Sequence, residues 1–162
     1  MKKILLSILF IFIAISVLGC NRIDKVDNLE YVERIAESFN EMKLNSENNI
    51  ATTSNESGNE YAIKVSKQLL DINVQFTKSI SSFNSKDYEI AQLHESFIKM
   101  NIEHQIAIKN YIKLLKSNTN NNDLNNSKQY VQDTLVNVSN SFYILSDLFL
   151  QKTGVDLMQV YY

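Results

Sequence analysis

The sequence predicts an all-α chain: an antiparallel four-helix bundle, three long helices and a shorter first one, behind an N-terminal signal segment. Three observations carry this. Among 162 residues there is no proline and there are only three glycines (Gly19, Gly58 and Gly154), too few for the tight turns of a strand-rich fold. Four segments each place apolar residues at alternating spacings of three and four, which is one face of a helix. The links between them are polar and without period. Helices with one apolar stripe each bury those stripes together only by facing one another. A three-helix core with a looser first helix meets the same condition.

The chain begins with Lys2 and Lys3, then an apolar run from Ile4 to Leu18 broken only by Ser7 and Ser16. The run is about 15 residues, short of the roughly 20 that span a bilayer core as a helix. Its length and its basic flank are those of a secretory signal. It ends in Val17-Leu18-Gly19-Cys20, which resembles the lipobox of bacterial lipoproteins. Gly19 has the small side chain wanted before the cut, whereas Leu18 is bulkier than usual there. The resemblance implies cleavage between Gly19 and Cys20, so that residues 1–19 leave as signal peptide and residues 20–162 remain as a single domain. It also implies a diacylglyceryl group on the Cys20 sulfur, often with further acylation, with chains such as palmitate. Two or three acyl chains hold a protein on a membrane durably where one does not. The expected location is thus the extracytoplasmic face of the cell membrane, with Cys20 the lipidation site. As the only cysteine, Cys20 has no partner for an internal disulfide.

Lys2 and Lys3 leave with the signal, so the 16 basic residues become 14 against 18 acidic ones, and the mature net charge is −4. That balance excludes the basic footprint of a nucleic-acid binder. It also gives the body no electrostatic pull toward an anionic bilayer, which leaves membrane attachment to the lipid.

The first helix is expected over 24–43. Asp24 or Asp27 can cap it, and Leu29, Val32, Ile35, Phe39 and Met42 form its stripe. Only Asn21 to Ile23 separate it from Cys20, which would hold this end of the bundle near the bilayer. Asn45 to Gly58 is the longest expected loop. With one end held at the membrane, the far end, and this loop if it reaches there, would be where a partner is met. Ser57 and Glu60 then read as a capping box for a helix over 59–83, with stripe Ala62, Val65, Leu69, Ile72, Phe76 and Phe83. Asn84-Ser85-Lys86 follows, as a turn or as a kink in one longer helix.

Ser85 or Asp87 would cap a helix over 87–116. Its stripe is Ile90, Leu93, Phe97, Met100, His104, Ala107, Tyr111 and Leu114, widened by Ile98, Ile108, Ile112 and Leu115 to touch two neighbours. Lys109, Lys113 and Lys116 suit the negative end of its dipole. After an Asn-rich link, the last helix is expected over 123–152, with stripe Leu124, Val131, Leu135, Val138, Phe142, Leu145 and Phe149. Thr153-Gly154 stops it, since glycine accepts the left-handed conformation. Val155 to Tyr162 is too apolar to be left exposed and is expected to fold back on the bundle.

The two histidines are the residues that invite acid-base or metal chemistry. His94 and His104 are ten positions apart on one helix, about 15 Å along its axis, so they cannot share an ion. Neither sits in Glu-x-x-His or His-Glu-x-x-His: Ala91 precedes His94 by three and Asn101 precedes His104 by three. His104 is expected in the core, hydrogen-bonded to a Ser, Asn or Tyr across the bundle, and His94 on the flank. There is no Gly-x-Ser-x-Gly and no glycine-rich phosphate loop. The expectation is no catalytic site, no metal and no cofactor.

From Leu69 through Gly154 the layout also resembles small uncharacterised helical lipoproteins of Gram-positive bacteria. A helix ends in a short break, Tyr88 and His94 open the next, and an Asn-rich turn leads to the last. Many of those proteins carry a proline at the break, where this chain has Asn84-Ser85-Lys86. The resemblance implies no activity and transfers no functional residue. The chain therefore reads as a lipid-anchored binding or interaction module of the cell envelope, its partners the membrane through Cys20 and a protein of the envelope, with no nucleic acid. The alternative is a metal- or cofactor-binding envelope protein using His104, with Met100, in the bundle core.

Overall fold

The computed structural model describes residues 30–35, 37, 38, 41, 58–83, 85–117 and 120–158. The signal segment, Gly19, Cys20, the first-helix caps Asp24 and Asp27, and the loop up to Ser57 lie outside these residues. The architecture is all-α with four helices, and no strand occurs among the described residues. We label as α1 the helical residues 30–35, 37, 38 and 41; α2 is Asn59–Ser81, α3 is Tyr88–Lys116 and α4 is Asn121–Thr153. No helix among them is long and apolar enough to cross a membrane.

Local chemistry sets the boundaries. α2 begins at Gly58, whose φ of 86° and ψ of −158° only glycine adopts readily, and no side chain caps it. The expected capping box at Ser57 is therefore displaced by one residue: the cap is Gly58, and Ser57 lies outside the described residues. α2 and α3 are separate helices and not one kinked helix, because α3 restarts on its own cap; Asn84, in the link between them, lies outside the described residues. Asp87 accepts from the backbone N–H of Glu89 at 3.0 Å and Ile90 at 3.1 Å. α4 starts two residues before its expected first residue, since Asn120 caps it by accepting from Asp123 N–H at 2.9 Å. Gly154 ends it in the left-handed conformation, φ 76°, with its N–H donating to the Leu150 carbonyl at 2.9 Å.

Consecutive helices run antiparallel. Tyr31 packs on Phe83 while Ser38 meets Ser79, Phe76 faces Phe97, and Phe97 faces Phe142. α3 is the central element, with α2 and α4 both packed along it. At the end formed by the α2–α3 turn and the C-terminus of α4, α1 closes an aromatic core. The Tyr31 ring lies 4.1 Å from Phe83 and 5.5 Å from Phe149, centroid to centroid. Ile35, Ile80, Ile90, Leu145 and Leu157 complete this core. Leu157 is 1% exposed, with Val155 and Met158 packed against the same cluster, so residues 155–158 fold back on the bundle as expected; residues 159–162 lie outside the described residues.

A second apolar layer, Ala107, Ile108, Ile112 and Leu115, lies toward the other end of α3. Between the two sits a polar belt. Asn101 and Gln105 of α3 reach α2, and His104 reaches α4. Here the stripes expected from the sequence rotate. Leu69 and Leu135 were expected inside and are 44% and 51% exposed. α1 meets α2 at Ser79 and the residue Phe83 just past its end, and Leu69 lies about three turns back from Ser79. Among the described residues α3 is the common neighbour of α2 and α4, and around Leu69 and Leu135 an apolar stripe built for two contacts is covered by one.

Candidate functional site

Three polar features are built into this frame: a histidine clamp, the central belt, and a groove beside the α2–α3 turn.

His94 holds three helices together. Its Nε2 lies 3.1 Å from the Ile80 carbonyl oxygen, which can only accept, so Nε2 carries the proton. Nδ1 then accepts from the Tyr31 hydroxyl at 2.6 Å. The ring stands edge-on to Tyr31 with centroids 5.2 Å apart. His94 is only 5% exposed, which corrects its expected place on the flank. The reason is that α3 buries Ile90, His94, Phe97, Asn101, His104 and Ile108, a face turned by about one residue from the apolar stripe. Hydrogen bonds from α1 and α2 stabilise polar side chains that an apolar count places outside. Burial lowers the His94 pKa, against the smaller opposing effect of its bond to Ile80. Burial also pushes the Tyr31 phenol far up, which keeps it a donor.

His104 is in the core as expected, and its partner is a threonine. The Thr134 hydroxyl lies 3.0 Å from the Tyr130 and Val131 carbonyls, which take its proton. Its oxygen therefore accepts from His104 Nδ1–H at 2.9 Å. Burial lowers the His104 pKa too, with the Val131 backbone opposing. On the α2 side of the belt, Asn73 Nδ2 donates to Asn101 Oδ1 at 3.1 Å. Asn101 Nδ2 donates to the Phe97 carbonyl at 2.8 Å, and Gln105 Nε2 donates to Thr77 Oγ1 at 2.9 Å. Asn73 Oδ1 is buried without a hydrogen-bond partner among the described residues. Both ring nitrogens of His94 and Nδ1 of His104 are thus occupied by structural hydrogen bonds. Among the described residues no three His, Cys, Asp or Glu side chains gather around either ring.

The groove is open to solvent. It has a volume of about 420 Å³, within the few-hundred-Å³ range of small-ligand clefts. Ser81, Ser82 and Phe83 form one bank, from the end of α2 and the turn. Tyr88, Gln92 and Glu95 form the other, from the first turns of α3, over a floor of Ala91, His94 and Ile98. The Ser81 and Ser82 hydroxyls donate to the carbonyls of Thr77 (2.6 Å) and Ser79 (3.4 Å), so their lone pairs remain as acceptors. Gln92 Nε2 donates to the Tyr88 hydroxyl at 2.7 Å. Glu95 is exposed and has no ion-pair partner among the described residues. The sequence reading missed the groove, because its lining alternates between two helices and a turn. It lies at the end where α1 begins, so recognition need not be confined to the far end of the bundle, where the sequence pointed. Cys20 and Gly19 fall outside the described residues.

No protein-family model, no curated protein and no solved structure matches the chain. The fold and the site define its class no further than an all-α bundle with a polar central belt and an acidic groove. Its function rests on its own residues.

Proposed function

We propose that the chain is a lipid-anchored protein of the cell envelope that acts by binding, not by catalysis. The observation that carries the reading is Val17-Leu18-Gly19-Cys20 at the end of an apolar run of signal length. Cys20 carries the diacylglyceryl group, and the domain stands on the extracytoplasmic face of the membrane. The polar chemistry of the interior supports a binding role. Of the two residues best suited to acid-base work, His94 spends both ring nitrogens on holding helices together and His104 spends Nδ1 on Thr134. The alternative, a metal or cofactor at His104 and Met100, would use the lone pair on His104 Nε2, and among the described residues no group of three His, Cys, Asp or Glu side chains stands there to complete a metal site.

Mass spectrometry of the N-terminal fragment, after expression in a bacterium that processes lipoproteins, tests the anchor. The expected fragment begins at Cys20 with a thioether-linked diacylglyceryl group, and Cys20→Ser releases the protein from the membrane fraction. An unmodified Cys20, or retention of residues 1–19, would overturn the anchor. Chemical cross-linking in intact cells tests the binding role; a chain that cross-links to nothing at native abundance would overturn it.

A further inference from the structure

We infer that the groove beside the α2–α3 turn is a socket for an arginine side chain of a partner protein. This rests on the binding role proposed above and gives it a site and a ligand chemistry.

The lining is complementary to a guanidinium in charge, donors and shape. Among the described lining residues the only charge is a carboxylate, Glu95, with no lysine or arginine beside it. A cation entering there meets an acid that has no ion-pair partner among the described residues. The accessible polar atoms are mainly acceptors. Ser81 and Ser82 have given their protons to backbone carbonyls, and Gln92 has turned its amide N–H toward Tyr88 and keeps its carbonyl oxygen. A guanidinium brings five N–H donors and no acceptor, the matching inventory. The remaining walls are Phe83 and the Tyr88 ring, and Tyr88 is 73% exposed, the most open of the large apolar side chains described. A flat, weakly hydrated cation gains from an aromatic face, which a compact ammonium does less well. Ala91 and Ile98 leave an apolar path for the methylene stem. His94 closes the floor and brings no positive charge, because both its ring nitrogens are engaged in the neutral form.

The test is a titration of the full-length, isotope-labelled chain in detergent micelles, followed by backbone amide shifts. The probes are blocked arginine (N-acetyl-arginine methylamide) and its uncharged isostere, blocked citrulline. Arginine is expected to move Ser82, Tyr88, Gln92 and Glu95 in a saturable way. Citrulline is expected to bind at least about five-fold more weakly, since it lacks the charge. Glu95→Gln and Tyr88→Ala, both at exposed positions that leave the core untouched, should each weaken arginine by about three- to ten-fold. Equal response to citrulline, shifts confined to other surfaces, or an unchanged affinity in Glu95→Gln would overturn the socket. Failure here leaves the lipid on Cys20 and any cross-linked partner standing. An unmodified Cys20 leaves the groove titration standing.

Discussion

The Tyr31 hydroxyl donates to His94 Nδ1 at 2.6 Å, while His94 Nε2–H donates to the Ile80 carbonyl at 3.1 Å. One imidazole thereby fixes α1 and α2 onto α3. The geometry demands the neutral ring. A second proton on Nδ1 would turn the Tyr31 hydroxyl from donor to acceptor, leave its own proton without a partner, and bury a cation with no opposing charge.

Stability should therefore fall with acid. The folded-state pKa of His94, and that of His104, lies below the ordinary 6.5, chiefly through burial. The contribution is fully present above that unfolded value and is lost as pH drops through it toward the lower folded-state values. Urea unfolding at about pH 7.5 and about pH 5 should show a lower midpoint at the acid end. The difference should shrink in His94→Gln. An unchanged midpoint in the native chain would contradict the clamp.

Asp87 caps α3 and also receives Lys152 from the last turn of α4 at 2.8 Å, with Glu89 sharing the same ammonium. The hydrogen bond from Lys152 is the main cause of the lowered Asp87 pKa. Both partners of the ion pair are partly exposed, so the cap should matter more than the charge. Asp87→Ala is expected to cost about 1 kcal/mol, within the range for a lost N-cap. Lys152→Met should cost clearly less. Denaturant midpoints of the two variants measure the order, and a reversed order would count against the cap.

In the belt, Asn101 is 1% exposed and bonded to both Asn73 and the Phe97 carbonyl. Asn101→Leu leaves the Asn73 amide facing an apolar side chain and should destabilise the fold by about 1–3 kcal/mol. Adding Asn73→Leu removes the orphaned group, together with the unpartnered Asn73 Oδ1. The double variant is expected to be more stable than Asn101→Leu alone, and a double-mutant cycle from equilibrium unfolding gives the coupling.

Leu157 and Gly154 separate packing from backbone. Leu157→Ala empties a fully buried site in the aromatic core and should cost about 2–4 kcal/mol. A Cβ at Gly154 meets nothing within 4 Å, so Gly154→Ala is disfavoured only by the left-handed φ of 76°, at about 1 kcal/mol. Thermal unfolding of both variants distinguishes the two sizes. Equal costs would mean that the C-terminal segment adds little to the core.

Much of the fold was legible because helices advertise themselves locally. Asp87 and Gly154 mark their helix ends through hydrogen bonds to residues within four positions, and Phe76, Phe97, Phe142 and Phe149 recur at helical spacing. His104 was legible as an inward residue because it lies on an apolar stripe. Gly58 in place of Ser57 at the α2 cap was not, since two adjacent residues can each start a helix and the choice depends on how the chain enters.

By itself the sequence determined the helical class, the left-handed stop at Gly154 and the inward fold of residues 155–158, while it left the link between α2 and α3 open between a turn and a kink. The features it determined follow from residue type and short-range spacing. Only the tertiary structure decided that His94 is buried, that Asn101 and Gln105 face α2, that Leu69 and Leu135 stay half open, and that Glu95 shares a groove with Phe83 and Tyr88. A polar residue enters a core only if a partner arrives from another helix, and an apolar one stays exposed if none does. Both outcomes depend on groups far apart in the chain, as Tyr31 and His94 are, and no local pattern encodes their meeting.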